Sequence, residues 1–176
     1  MKRLNKSFHF SGWVIILLLI VTSCGVSENE ALQTLKNVVQ DAKEMTPPQP
    51  NETTKPLTFY KPETFEITEE DEYNVILEEQ GHLFILYSNP LGDEQKQPEH
   101  ANEFFSDTLS FAENEGSAQI KIIVTKEDEE SYLITVEKGP IKMTNRTDDR
   151  SHLSRNAQYM LEIMASASPS SKEKSS

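Results

Sequence analysis

Cysteine and positive charge are both scarce in this chain, and each shortage excludes a class of function. The 176 residues include one cysteine, Cys24, which excludes an intrachain disulfide, a Cys-x-x-Cys redox pair and a zinc site built from several thiolates. Lys and Arg number 17 against 29 Asp and Glu, for a formal charge of −12. Nucleic-acid binding relies on Lys and Arg that neutralise phosphates, so we expect no nucleic-acid partner. Stability must then come from an ordinary apolar core.

Motifs of common active sites and metal sites are also missing. There is no Gly-x-Ser-x-Gly elbow, no His-Glu-x-x-His pair and no calcium loop of the EF-hand type. His82, His100 and His152 fall at the predicted starts of a strand and of two helices, positions that usually face solvent. We therefore predict that the chain is not an enzyme, with no catalytic residues, no metal and no cofactor.

Long apolar runs are absent as well. The longest, Trp13–Val21, is less than half of the roughly 20 residues that a membrane-spanning helix needs. Basic residues precede it at positions 2, 3 and 6, and Thr22-Ser23-Cys24-Gly25 follows it. A basic segment, a short apolar segment and small residues at its end are typical of a secretory signal peptide, which we place at residues 1–23.

The residues Val21-Thr22-Ser23-Cys24 resemble the lipobox of bacterial lipoproteins, in which an aliphatic residue and two small residues precede a cysteine. The resemblance implies cleavage before Cys24, a diacylglycerol on its sulfur, and attachment to the cell membrane on the extracytoplasmic face. Two acyl chains give stable attachment where one does not. Two alternatives stay open: an uncleaved anchor that extends back to Phe8, and an ordinary signal peptide that leaves Cys24 as a free thiol.

The segment after Cys24 predicts a helix followed by a spacer. Ser27-Glu28-Asn29-Glu30 matches a capping box, and apolar residues at helical spacing follow it. We predict an amphipathic helix within residues 24–45 that packs on the downstream domain or on another copy. Residues 46–56 hold four prolines and predict an extended linker that could span roughly 30 Å.

Residues 57–165 predict a single α+β domain. Alternating apolar residues indicate strands at 65–68, 73–78, 83–87, 120–125 and 132–137, with resumed pairing at 141–144. Leu83–Tyr87 is apolar on both faces, so we place it centrally in the sheet. Gln80-Gly81 predicts a tight turn. A second helix is predicted from Ala101, Phe104, Phe105, Leu109 and Ala112, with Gly116 as its stop.

The last helix begins near Asp148 to Ser151 and buries Leu153, Ala157, Met160, Leu161 and Met164. The fold class is therefore α+β: an antiparallel sheet with helices packed on one face, a two-layer sandwich. The amphipathic helix and the Pro-rich linker precede it. Residues 166–176 hold little to bury and predict a disordered tail.

Charged clusters offer the remaining candidate sites. The acidic runs Glu69–Glu72 and Glu127–Glu130 are interpreted as polar turns that protect strand edges. Arg146, Arg150 and Arg155 gather around the start of the last helix and define a speculative anion-binding site.

Taken together, these features predict a lipid-anchored, extracytoplasmic binding or accessory protein with no evident catalysis. Its expected partners are the membrane, through the lipid on Cys24, and a protein at the cell surface. Two alternatives stay open: a lipoprotein that binds a small ligand or a cation, and an enzyme with a dispersed site.

Overall fold

The computed structural model describes residues 25–88, 102–113 and 116–170. The predicted signal peptide at residues 1–23, Cys24, His100 and residues 171–176 of the predicted tail lie outside them. The described elements are helix α1 (Glu28–Glu44), strands β1 (Glu52–Thr53), β2 (Leu57–Phe59), β3 (Glu66–Glu70), β4 (Asn74–Glu79), β5 (His82–Ser88), β6 (Glu103–Glu113), β7 (Gly116–Lys126), β8 (Tyr132–Lys138) and β9 (Ile141–Thr147), a 3₁₀ turn (Arg150–His152), helix α2 (Leu153–Ser166) and strand β10 (Ser168–Pro169).

Seven strands form one antiparallel sheet in the order β3-β4-β5-β9-β8-β7-β6. Both helices pack on one face of it, which confirms the α+β class and the two-layer arrangement. β1, β2 and β10 form a small second sheet. No helix of the described residues is long and apolar enough to cross a membrane.

The core lies between the helices and the sheet. The sheet contributes alternate residues of its strands to this core, all without exposed surface, such as Leu77, Phe84, Val136 and Met143. A buried polar relay crosses this layer: Asn156 of α2 donates to Asn145 of β9 at 2.9 Å, and Asn145 donates to the Leu83 carbonyl of β5 at 2.8 Å. The relay fixes α2 over the middle of the sheet, because a buried amide must keep its partners.

Helix α1 forms as predicted and packs on the domain. The Ser27 hydroxyl accepts a hydrogen bond from the Glu30 N–H, which caps the first turn. Its apolar stripe is buried, with Leu35 fully enclosed. Two ion pairs join the helix to the long β6–β7 hairpin: Lys43 to Asp107 at 2.7 Å and Glu28 to Lys126 at 2.9 Å.

The predicted linker and tail need correction. Because α1 packs on the domain, residues 46–56 do not act as a 30 Å spacer between the two. They fold back instead: Glu52 and Thr53 pair with β2, and Thr54 is buried. The start of the tail is also ordered, since Ser168–Pro169 pairs with the other edge of β2. Helix, linker and domain therefore form one folded unit.

The predicted helix at residues 101–112 is wrong, because Glu103–Glu113 forms the edge strand β6. Apolar residues at 104, 105 and 109 fit a helical stripe, yet Ser106, Thr108 and Ser110 alternate with them and are all exposed. Ser and Thr are also poor helix formers. Asp107 interrupts the alternation of apolar and polar residues that would indicate a strand, because it is a charged residue on the helix-facing side. It is tolerated there because Lys43 pairs with it. Gly116 begins β7 rather than ending a helix.

The predicted hairpins are confirmed. Gln80 and Gly81 both have positive φ, 51° and 82°, as a tight two-residue hairpin turn requires. β9 resumes pairing with β8 after Gly139-Pro140 and extends to Thr147, beyond the predicted segment. β5 lies between β4 and β9, inside the sheet as predicted.

Candidate functional site

Two features of the described residues stand apart from ordinary packing. One is a polar cluster beneath the β4–β5 turn, and the other is an apolar stripe on the face of the sheet away from the helices. We define the polar cluster as Glu79, His82, His152 and Arg155, and the β5 stripe as Leu83, Ile85 and Tyr87.

The polar cluster is built by the β4–β5 turn and the start of α2. Glu79 ends the run Val75-Leu77-Glu79 on the core face of β4 and is 2% exposed. Its Oε2 lies 3.9 Å from Nη2 of Arg155, whose Nη1 donates to Gln80 Oε1 at 3.3 Å. Glu79 Oε2, Arg155 Nε and Nη2, and His152 Nδ1 are buried without a hydrogen-bond partner among the described residues. A buried carboxylate thus lies close to a single guanidinium group.

The two histidines of the cluster contact each other. The rings of His82 and His152 meet edge to face, with centroids 4.6 Å apart. Burial lowers the pKa of His82, and His152 and Arg155 lower it further, against the raising effect of Glu79 and Asp149. The lowered pKa of His82 favours the neutral form of its ring, and the Glu79 carboxyl lies 3.9 Å from the Arg155 guanidinium. The cluster is thus a pair of contacting histidines beside a buried carboxyl and its guanidinium partner.

The three arginines of the predicted anion site do not converge. Arg146 pairs with Glu127 at 3.2 Å and with Asp148 at 3.4 Å, while Arg150 donates to the Glu129 carbonyl at 3.2 Å. Both thus contact the β7–β8 turn, whereas Arg155 contacts the β4–β5 turn. The structure therefore assigns the arginines to two separate turns, and the anion site is not formed.

The interpretation of the acidic runs as turns is right for residues 127–130 and in part for 69–72, because Glu69 and Glu70 belong to the edge strand β3. Asp71 accepts from the Tyr73 and Asn74 N–H groups, and these bonds lower the pKa of its carboxyl. Asp128 bonds Ser131 and accepts from the Glu130 N–H, which lowers the pKa of Asp128 to about 2. No group of three or more metal-binding side chains exists among the described residues.

The β5 stripe is the most unusual surface of the described chain. Leu83, Ile85 and Tyr87 are 53%, 43% and 38% exposed, whereas the alternate residues Phe84 and Leu86 are fully buried. Because the strand is apolar on both faces, its sequence predicts a central position in the sheet. The central position was right, but one of the two faces is open.

Charged residues flank the stripe on both sides, and the basic ones on one side are paired with carboxylates of the same chain. On one side Glu78 of β4 lies opposite Leu83, and Glu66 of β3 lies opposite Glu78. On the other side Lys142 of β9 lies opposite Tyr87. Arg146 lies beside Leu83, because its neighbour Asn145 pairs with Phe84. Farther along this face, over β7 and β8, Ile123 and Thr135 are buried.

A groove of about 210 Å³ lies between the two helices. Val38 and Met45 of α1 and Leu161 of α2 form its apolar wall, and Asp41 and Glu162 lie at its rim. None of the residues of the polar cluster or of the β5 stripe lines it. The groove is therefore a separate surface feature.

Comparison with protein-family models, with curated proteins and with solved structures finds no match to this chain.

Proposed function

We propose that the chain is a lipid-anchored, extracytoplasmic accessory protein that acts by docking another protein on the open face of its sheet. The observation that carries this proposal is the β5 stripe. Three large apolar side chains at alternate positions of an interior strand are exposed, although Phe84 and Leu86 on the other face of the strand are fully buried. Contiguous apolar patches of this kind, rimmed by polar residues, mark interaction sites.

The anchor supports a docking role close to the membrane. A lipid on Cys24 would be separated from α1 by Gly25, Val26 and Ser27 alone. Three extended residues reach at most about 11 Å. Because α1 packs on the domain, the whole folded unit would lie near the headgroups, where membrane partners are within reach. Its acidity would keep it from lying flat on an anionic bilayer.

The two alternative functions have weaker support from the geometry. The polar cluster gathers two histidines with Glu79 and Arg155, which is the arrangement that an enzyme or ligand site would need. However, Glu79 is enclosed, its charge faces Arg155, and the groove between the helices does not reach it. A docking protein therefore fits the described residues better than a small-molecule site.

The test has two readouts in cells that make the full chain. Mass spectrometry of the N-terminal peptide should show diacylglycerol on Cys24, and an intact leader or an unmodified Cys24 would contradict the anchor. A photo-reactive amino acid at Ile85 should give a protein adduct, whereas the same group at Val38, in the groove between the helices, should not. Equal labelling from the two positions, or none from Ile85, would contradict the docking face.

A further inference from the structure

We infer that the partner on this face is an amphipathic helix of another protein, with an apolar stripe that covers the β5 stripe and with Lys or Arg on the flank that lies over β4. This inference rests on the proposed docking face and names the class of its occupant. Three observations select it: β5 is paired on both sides, the open area has the width of one helix, and the unpaired charge beside it is negative.

The backbone of β5 excludes an added strand as the occupant. β5 pairs with β4 along one side and with β9 along the other, so a partner on this face can contact its side chains alone. A single strand that lay across these side chains would bury its own N–H and C=O groups without partners, which costs free energy. A helix satisfies its backbone groups internally.

The width of the open area also matches a helix. Ile76 of β4 and Thr144 of β9 lie opposite Ile85 and are partly exposed, whereas Ile123 and Thr135, farther along the same face, are buried. The accessible part therefore extends over β4, β5 and β9, a width of about 10 Å at the usual strand spacing. A helix is about 10 Å across. A second sheet would extend over β7 and β8, where the buried residues offer no contact.

The length of the β5 stripe fits the repeat of a helix. Leu83 and Tyr87 are four residues apart on β5, which corresponds to roughly 13 Å along a strand. Apolar residues at positions i, i+4 and i+8 lie on one face of a helix and span about 12 Å. Three apolar residues of the partner can therefore contact the three residues of the stripe.

The unpaired charge beside the stripe is negative. Glu78 lies opposite Leu83, Glu66 lies opposite Glu78, and Glu69 lies opposite Ile76. None of these three glutamates forms an ion pair with a residue that the structure describes. Lys or Arg on the partner, placed over β3 and β4, would complement them.

The opposite side of the stripe does not offset this charge. Lys142 and Arg146 are already paired with carboxylates of the same chain, so they are not free to attract an acidic partner. A second copy of the chain is disfavoured for the same reason, because it carries the same glutamates and a formal charge of −12. Charge complementarity of this kind selects among partners that all have an apolar stripe.

Synthetic peptides test the class of partner on the full chain. A helical peptide of about 18 residues carries Leu at the spacing above and Lys along one flank. It is compared with a peptide that has Glu in place of each Lys, and with a scrambled peptide of the same composition. Labelled peptides are titrated with the chain in nanodiscs of zwitterionic lipid, and empty nanodiscs give the background. The Lys peptide should bind about tenfold more tightly than the other two, and added salt should weaken it.

Substitutions locate the bound peptide on the chain. Ile85→Thr should weaken the Lys peptide about tenfold, because it removes apolar contact at the centre of the interface. Glu78→Lys should weaken it about fivefold through the lost ion pair, and it should strengthen binding of the Glu peptide. Val38→Thr in the groove between the helices and Glu44→Lys on the exposed face of α1 are the matched controls. Both should leave the affinity unchanged.

Three results would overturn the inference. These are no binding of the Lys peptide, equal affinities of the Lys and Glu peptides, and equal losses from Glu78→Lys and Glu44→Lys, which would show attraction to the net charge alone. The Ile85 photo-adduct in cells separates this inference from the docking face itself. A crosslinked segment that is a basic amphipathic helix supports both, any other segment overturns the helix alone, and no adduct contradicts the docking face and the helix together.

Discussion

The openness of the β5 stripe can be tested with one matched pair of substitutions, Ile85→Thr and Leu86→Thr. Each change removes two side-chain carbons and adds one hydroxyl, and each keeps a residue that suits a strand. The two positions are neighbours on β5, so backbone effects are shared. Only their environment differs: Ile85 is 43% exposed and Leu86 has no exposed surface.

The expected magnitudes follow from this difference. Removal of two fully buried carbons costs about 1.6 kcal/mol, so Ile85→Thr, with about half of its surface covered, should lower the free energy of unfolding by about 1 kcal/mol or less. Leu86→Thr adds a buried hydroxyl and a cavity, which together cost a further 1–3 kcal/mol or so. We therefore expect about 3–5 kcal/mol at Leu86, several times the effect at Ile85.

Urea denaturation measures both values, provided that the slope of the transition is unchanged between the variants. Comparable losses at Ile85 and Leu86 would refute the open face, because they would show that both sides of β5 are buried within one copy. A small loss at Ile85 beside a large one at Leu86 would agree with the open face, since an exposed side chain contributes little to folding.

Three further outcomes are expected. Asn145→Ala should lower the free energy of unfolding by about 3 kcal/mol, because it removes two hydrogen bonds and leaves the buried Asn156 amide without its partner. In a double-mutant cycle with Asn156→Ala, the loss for the double variant should be smaller than the sum of the two single losses. Strict additivity would contradict the hydrogen-bonded chain from Asn156 to Leu83. The free energy of unfolding should fall as pH drops through about 6.5, because the lowered pKa of His82 lets the unfolded chain bind the proton at a higher pH than the folded chain. Urea titrations at several pH values measure this dependence, and His82→Asn should make it less steep. An unchanged dependence on pH would show that His82 is not its source. Leu35→Ala should lower the free energy of unfolding by about 2–5 kcal/mol, because the buried face of α1 belongs to the core. Lys36→Ala, at the exposed neighbouring position, should change it very little. Equal melting temperatures for the two variants would show that α1 does not pack on the domain.

Sequence periodicity predicted the fold class because most elements bury one face. The capping box at Ser27 and the turn at Gln80-Gly81 have local causes, so they could be read without tertiary information. β6 could not be read in this way. Its Asp107 is tolerated on the helix-facing side only because Lys43, distant in sequence, lies above it. The linker was also misjudged, since its strand Glu52–Thr53 pairs with residues 57–59, which in turn pair with residues 168–169.

The candidate sites show the same limit. The alternation Val75-Leu77-Glu79 places Glu79 on the core face of β4. An acidic residue at a position that the pattern marks as buried could have identified Glu79 as a candidate site residue. Its partner Arg155 could not be identified, because the contact depends on how α2 crosses β4. The apolar faces of β5 were visible in the sequence. Which of them stays open depends on where the helices pack, and that is a property of the whole fold.

Hydroxyl-radical footprinting in native membranes tests the docking face most directly, because the chain carries an internal control. Tyr87 in the β5 stripe and Tyr73 before β4 are 38% and 41% exposed in a single copy, so a free face predicts similar oxidation once each is calibrated against the unfolded chain. A docked face predicts oxidation of Tyr87 roughly tenfold below that of Tyr73, because the centre of an interface excludes water. Equal oxidation of the two tyrosines would contradict the account.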